Sequence, residues 1–160
     1  MTNPLWTSLE AAEVTKGTNT CDWVATGVSI DTRTIRKGDL FVALKHDRDG
    51  HDFVAQGFRQ GAAAAIVSYI PKNVSDQKPL LVVEDVNVAL RALAKFGRSR
   101  FKGKVVGITG SVGKTSSKEM LTTILSCFGK VSSSEKNFNN HLGVPLTLAR
   151  TPPDFDFLVV

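Results

Sequence analysis

Apolar residues fall in short blocks along this chain, and between the blocks the spacing changes to that of amphipathic helices. Blocks of β-branched and large aliphatic residues predict strands over Thr26–Ile30, Asp39–Leu44, Ala64–Ser68 and Leu80–Val83. Further strands are predicted from Val105, near Val131, and from Phe155 to Val160. Thr7-Ser8-Leu9-Glu10 has the form of a capping box and opens a short helix stopped by Gly17. A second helix is predicted over Asp52–Gln60, closed by Gly61. Asp85 caps a third, with Val86, Leu90 and Leu93 on one stripe and Arg91, Lys95 and Arg98 on a solvated one. Lys114–Phe128 and Leu142–Ala149 follow, the latter broken by Pro152-Pro153. Strands alternating with helices specify an α/β chain with largely parallel sheets. The polar FKGK stretch from Phe101 is a plausible junction, giving domains over 1–100 and 101–160.

Composition adds bounds. The chain has 160 residues, 42% of them hydrophobic and 22% charged, enough to bury a core and typical of a globular protein. The net charge of +5 is spread without a basic block, so nothing asks for nucleic acid, and an anionic small molecule suits the balance equally well. Cys21 and Cys127 are far apart and have no His at zinc spacing, which reads as reduced thiols. The N-terminus lacks the basic and apolar regions of a signal peptide, and no apolar run is long enough to span a membrane. A cytoplasmic monomer without membrane insertion is expected.

The chain is organised around VVGITGSVGKT, Val105 to Thr115, running on into SSKEM. A buried strand, a glycine-rich turn and a helix opening on Lys-Thr make a cradle for phosphates. Gly110, Ser111, Val112 and Gly113 form the turn, and Lys114, Thr115 and Ser116 open the helix. Lys114 is a mobile cation for outer phosphates, and the Thr115 hydroxyl suits Mg²⁺. The pattern departs from the strict G-x-x-x-x-G-K-[ST] loop, because Ile108 stands where the first glycine belongs. An ordinary strand–turn–helix with a basic corner is the plain alternative. The spacing T-G-S-x-G-K-T-[ST] resembles the variant loop of the Mur ligases, ATP-dependent amide-bond-forming enzymes of peptidoglycan precursor synthesis.

Two further stretches extend the resemblance. Asp31-Thr32-Arg33 follows one predicted strand and the loop His46 to Gly50 follows the next, at the strand ends where open α/β sheets bind ligands. Taken alone these are turn residues. In the order D-T-R, K-G-D-L-F-V-A-L, D-G-H-D-F, G-A-A-A-A-I-V, they resemble the N-terminal domain shared by the third and fourth Mur ligases. That resemblance implies a UDP-sugar contact for Thr32, with Asp31 and Arg33, and for the His46–Asp47–Arg48 loop, although His46 replaces the usual glycine. His51 reads as a loop hydrogen-bonder. The second stretch, Asn137-Phe-Asn139-Asn140-His-Leu-Gly143-Val-Pro145, would ordinarily be backbone-capping chemistry. As N-x-N-N-x-[IL]-G-x-P it is similar to the last cytoplasmic step of the family, and it makes Asn137 and Asn140 candidate ATP-side contacts. No role follows for His141.

The resemblance therefore implies a small N-terminal α/β UDP-substrate domain followed by the start of a P-loop-type parallel-sheet ATPase domain. It implies ATP and Mg²⁺, with Lys114 and Thr115 catalytic, Thr115 the metal ligand, and UDP-MurNAc-tripeptide and D-alanyl-D-alanine as substrates. Family members are considerably longer, so the chain reads as an N-terminal fragment that ends before an expected acidic Mg²⁺ ligand and is inactive alone. The ligase adding the third peptide residue, a folylpolyglutamate-type relative and a non-catalytic nucleotide-binding module are the other readings. The D-T-R and D-G-H-D-F loops count against a folate substrate, and the Asn motif against the third-step ligase.

Overall fold

A computed structural model of the protein describes residues 4–45, 48–134 and 142–160. The chain divides into two compact units, Met1–Leu93 and Ala94–Val160, with the division inside one long helix.

In the first unit, β4 (Gly27–Ser29), β5 (Asp39–Val42), β6 (Ala64–Val67) and β7 (Leu80–Val82) lie parallel in one sheet, with β2 (Thr18–Asn19) antiparallel at its edge. The strand order is β2-β7-β6-β5-β4. All four residues of β5 and all four of β6 are buried, because both faces of the sheet are covered. Side chains alternate across it. Phe41, Ala65, Val67 and Leu80 pack on Val54, with Phe53 and Phe58 at the margin, while Leu40, Ile66 and Leu81 are fully buried. Each such large aliphatic or aromatic side chain contributes about 1.5–3 kcal/mol by leaving water.

The helices are placed by their caps. α1 (Ser8–Thr15) starts where the Thr7 hydroxyl accepts the Glu10 amide at 3.2 Å, the half of the expected box that holds the turn. The Glu10 carboxylate takes the Thr7 hydroxyl proton at 3.1 Å. α3 (Val86–Arg100) starts where Asp85 accepts from the amides of Asn87 and Val88 at 2.7 and 3.0 Å. Its Arg91, Lys95 and Arg98 are exposed, as the stripe pattern requires. The helix expected from Asp52 begins earlier, as a 3-10 turn over Gly50–Phe53 that leads into α2 (Val54–Arg59). The reason is local: the Asp49 side chain captures the His51 amide at 3.0 Å and starts the turn there. The antiparallel pair β1 (Trp6–Thr7) and β3 (Val24–Ala25), like β2, was not expected, since two residues are too few to show alternation.

The second unit holds a parallel three-stranded sheet of order β8-β10-β9, made of β8 (Lys104–Val106), β9 (Val131–Ser133) and β10 (Phe157–Val159). β10 is central, and Leu158 and Val159 are fully buried. α4 (Lys114–Leu125) connects β8 to β9, and α5 (Gly143–Arg150) connects β9 to β10. α4 stops before the expected Phe128 because the Cys127 and Phe128 amides bond three residues back, to Ile124 and Leu125, in a tightened final turn. Among the described residues no helix is long and apolar enough to cross a membrane.

Candidate functional site

Three chain segments leave the carboxyl end of the second sheet together, because its strands are parallel. The glycine loop leaves β8, Ser134 leaves β9, and Val160 leaves β10. The Ile108 amide donates to the Val160 carbonyl at 2.6 Å, and the Ser134 amide to the Val159 carbonyl at 3.2 Å, which closes the strand ends against one another. Ile108, Lys114, Thr115, Lys118, Ser134 and Val160 surround a recess of about 50 Å³ there. A larger hollow of about 480 Å³ lies at the opposite, amino end of the strands, beside Lys104 and Phe157. Open α/β sheets bind ligands at carboxyl ends, so the small recess is the chemically relevant one.

α4 opens on Gly113, whose φ of 77° and ψ of −2° lie in the left-handed region that favours glycine. A Cβ built there would meet nothing within 4 Å, so open space lies in front of the helix. No side chain caps this end. The Ser117 amide is bonded to the Gly113 carbonyl at 2.9 Å, which leaves the amides of Lys114, Thr115 and Ser116 without partners inside the helix. The helix dipole adds to those donors, and the result is a cradle for an anion. Lys114 is exposed and folds back so that its ammonium donates to the Gly110 carbonyl. Thr115 is half-buried and lines the recess. These donors fit a chain of phosphates. For a divalent cation they supply one hydroxyl, and among the described residues no group of three His, Cys, Asp or Glu could hold a metal.

Lys118, one turn beyond Lys114, is a member of the site that the sequence reading overlooked. It is 7% exposed, and its ammonium donates to the Ser134 carbonyl at 2.5 Å and the Ser134 hydroxyl at 3.2 Å. The signal was present as the i, i+4 spacing of Lys114 and Lys118 on one helix.

The first unit carries its polar loops at the carboxyl end of its own sheet. Asp31 caps the 3-10 turn Thr32–Thr34 by accepting from the Arg33 amide at 2.9 Å. The Arg33 guanidinium returns onto the same carboxylate, with Nη2 to Oδ2 at 2.6 Å and Nε to Oδ1 at 3.0 Å. That side-chain bond holds the Asp31 carboxyl below the usual carboxylate range. Arg33 is 85% exposed along its side chain, whereas Thr32 is buried, so the arginine is the member of the triplet that faces solvent. Arg48 is exposed.

Beside them is a cluster that the D-G-H-D-F motif builds. His51, 2% exposed, holds Asp49 Oδ1 through Nδ1 at 2.6 Å and accepts the Ser68 amide on Nε2 at 2.8 Å. Acceptance at Nε2 assigns the ring proton to Nδ1, facing the carboxylate. The Tyr69 ring stacks on His51 at 4.1 Å and its hydroxyl donates to Asp49 Oδ2 at 2.9 Å. The backbone bond from His51, then its ring and the Tyr69 hydroxyl, hold the Asp49 carboxyl down at about 2. Gly50 passes so close to Leu44 that a Cβ would stand 2.5 Å from its carbonyl oxygen, which explains the glycine inside the motif. The cluster ties the loop after β5 to the end of β6, the loop-bonding role read for His51.

The structure brings Lys114, Thr115 and the start of α4 together around one recess, and sets Gly110, Ser111, Val112 and Gly113 as the turn in front of it. It gathers Asp31, Thr32 and Arg33 into one turn of the other unit. His46, Asp47, Asn137 and Asn140 lie outside the described residues.

Known proteins resemble this chain over most of its length. Two family models match: the Mur ligase family catalytic domain over residues 24–98, and the Mur ligase middle domain over residues 108–160. The chain is 40% identical over 134 residues to the UDP-N-acetylmuramoyl-tripeptide–D-alanyl-D-alanine ligase of Synechocystis, covering 83% of this chain and 30% of that protein. It is also similar to a crystal structure of MurF from Acinetobacter baumannii, with a TM-score of 0.76 and 35% identity over 97% of this chain and 35% of that one. A crystal structure of MurF from Thermotoga maritima in complex with ADP matches with a TM-score of 0.60 and 34% identity, over 84% of this chain and 31% of that one. The chain thus spans about 30% of the length of the curated relative it matches.

Proposed function

The chain belongs to the Mur ligase family, and from that premise we propose that it carries the nucleotide-phosphate site and the UDP-substrate site of an ATP-dependent ligase joining D-alanyl-D-alanine to UDP-MurNAc-tripeptide. The observation that carries this reading is the open, uncapped start of α4 on a left-handed Gly113, with Lys114 and Thr115 at the recess where the parallel strands end. When bound, ATP with Mg²⁺ supplies the phosphoryl group that activates a substrate carboxylate for attack by the dipeptide amine. This chain's residues hold and orient that group. The amides of Lys114, Thr115 and Ser116 bind phosphate oxygens, and the glycine loop Gly110–Gly113 wraps them. Lys114 leaves the Gly110 carbonyl and places its charge where negative charge develops during transfer. The Thr115 hydroxyl is the metal ligand available here, and Asn137 and Asn140 complete the ATP side.

Residues 1–100 are then the UDP-substrate domain, with Asp31 holding Arg33 in position, Thr32 buried beneath the turn, and Arg33 with the loop His46, Asp47 and Arg48 meeting the uridine diphosphate. Residues 101–160 belong to the ATP-binding domain. We read the protein as a cytoplasmic monomer acting on small molecules.

The test is ADP release by this sequence extended to the length of its relatives, with each component omitted in turn and the 160-residue chain, expected to be inactive, run beside it. Release should require ATP, Mg²⁺, UDP-MurNAc-tripeptide and D-alanyl-D-alanine together. Turnover with UDP-MurNAc-dipeptide and a single diamino acid instead would move the assignment to the third-step ligase. Binding of ATP without turnover under any combination would favour a non-catalytic module.

A further inference from the structure

Lys118 is a cation in an unusual place. Lysine is almost never buried unless paired, and this one is 7% exposed. Its partners among the described residues are the two oxygens of Ser134, one carbonyl and one hydroxyl. Among the described residues no carboxylate forms an ion pair with it. An ammonium has three donors, and two are accounted for. The group also lines the recess that Lys114 and Thr115 line. Two lysines four apart on one helix repel each other, and a recess between them concentrates that repulsion. The recess of about 50 Å³ exceeds several times the roughly 10–15 Å³ that one water needs.

A clamp alone does not explain the charge. Holding the end of β9 to α4 requires one donor to the Ser134 carbonyl, and a neutral side chain would do so without burying an ion. A buried cation beside an open anion cradle is explained if an anion completes the site.

We infer that Lys118 is a second phosphate-binding cation, which meets the terminal phosphoryl group of a nucleoside triphosphate from the β9 side while Lys114 meets it from the loop side. The inference rests on the proposed nucleotide site and adds to it a residue and a specificity: Lys118 reads the presence of the third phosphate. Ser134 holds the ammonium in place before the nucleotide arrives, so little ordering cost is left for binding.

The test is isothermal titration of the complete chain with ADP and with a non-hydrolysable ATP analogue, for wild type, Lys118→Met and Lys118→Arg. Removing a charge-assisted contact to phosphate should weaken the triphosphate by roughly 10-fold or more. The diphosphate should change by less than about threefold, within the spread of a lost weak contact. Lys118→Arg should recover most of the triphosphate preference, since it keeps the charge. Equal loss for both nucleotides, or none for either, would overturn the role and leave Lys118 a clamp. If wild type binds neither nucleotide, the nucleotide site itself fails, which is a different outcome. Should Lys118→Met not fold, lysines of the wild type are ¹³C-methylated and followed by NMR. A Lys118 resonance that moves with the triphosphate and not with ADP supports the inference, and one that ignores both overturns it.

Discussion

Replacing Lys114 by alanine separates a functional charge from a structural one, because the structure gives the side chain almost nothing to hold. Lys114 is exposed at the first position of α4, and its ammonium donates to the Gly110 carbonyl in the same loop. An exposed bond of that kind contributes at most about 1 kcal/mol. Alanine, the better helix former, returns a few tenths of that. For a chain of this size the melting temperature should therefore move by no more than about 2–4 °C. The catalytic loss is set by another quantity, the interaction of an ammonium with the phosphoryl group in the transition state. Loss of one such preorganised contact costs roughly 10²–10³-fold in kcat, or about 2.7–4 kcal/mol. The functional effect should exceed the stability effect several times over. The assay pairs kcat from coupled ADP release, in this sequence extended to the length of its relatives, with thermal melting of the chain followed by circular dichroism. A variant within twofold of wild-type kcat would refute the phosphate-loop assignment. A variant that lost activity only in proportion to unfolded protein would refute the view that Lys114 is structurally free.

Three other outcomes follow from named geometry. Gly113→Ala puts a Cβ on a φ of 77°, costing about 1–2 kcal/mol in urea-midpoint stability, and its methyl enters the open space in front of α4. ADP affinity should fall by more than that strain accounts for, and unchanged affinity by titration would count against the cradle. Arg33→Ala should weaken UDP-MurNAc-tripeptide binding and leave ATP-analogue binding nearly unchanged, since Arg33 is in the first unit and the recess in the second; equal weakening of both would be contrary. The Asp49 carboxyl is held at about 2 against an ordinary 3.8, and a depressed carboxylate stabilises the fold above the ordinary value and loses that contribution as pH falls toward the depressed one. The stability gap between wild type and Asp49→Asn should be constant from pH 7 to about 5 and shrink between about 4 and 2. A gap that is flat across that window by urea denaturation would remove the carboxylate from the cluster.

Most of the first unit was legible because its sheet is covered on two faces, so β6 and β7 are written as unbroken apolar runs and β5 as one that follows Asp39. Short edge pairs were not, since β1, β2 and β3 are two residues each and are held by partners far along the chain, Thr18 on Val82 and Trp6 on Ala25. The phosphate loop was legible in outline, as glycines before Lys-Thr at a strand–helix corner. What it could not show is direction. Lys118 lies in plain view in the sequence, but only the return of β9 beside α4 buries it against Ser134. Thr32 and Arg33 were read as one motif, yet the 3-10 turn sends one inward and the other to solvent. In the D-G-H-D-F motif, the partner that fixes the His51 tautomer is Ser68, seventeen residues on and on another strand's exit.

The measurement that bears most directly on the account is hydrogen exchange of the complete chain, followed by mass spectrometry, with ADP and with UDP-MurNAc-tripeptide added separately. ADP should slow exchange in peptides covering residues 107–117, where the amides of Lys114, Thr115 and Ser116 have no partner within the helix, and leave residues 30–37 and 48–53 as they were. UDP-MurNAc-tripeptide should do the reverse. Protection by ADP at the Asp31–Arg33 turn with residues 107–117 unmoved would contradict the assignment of the two sites.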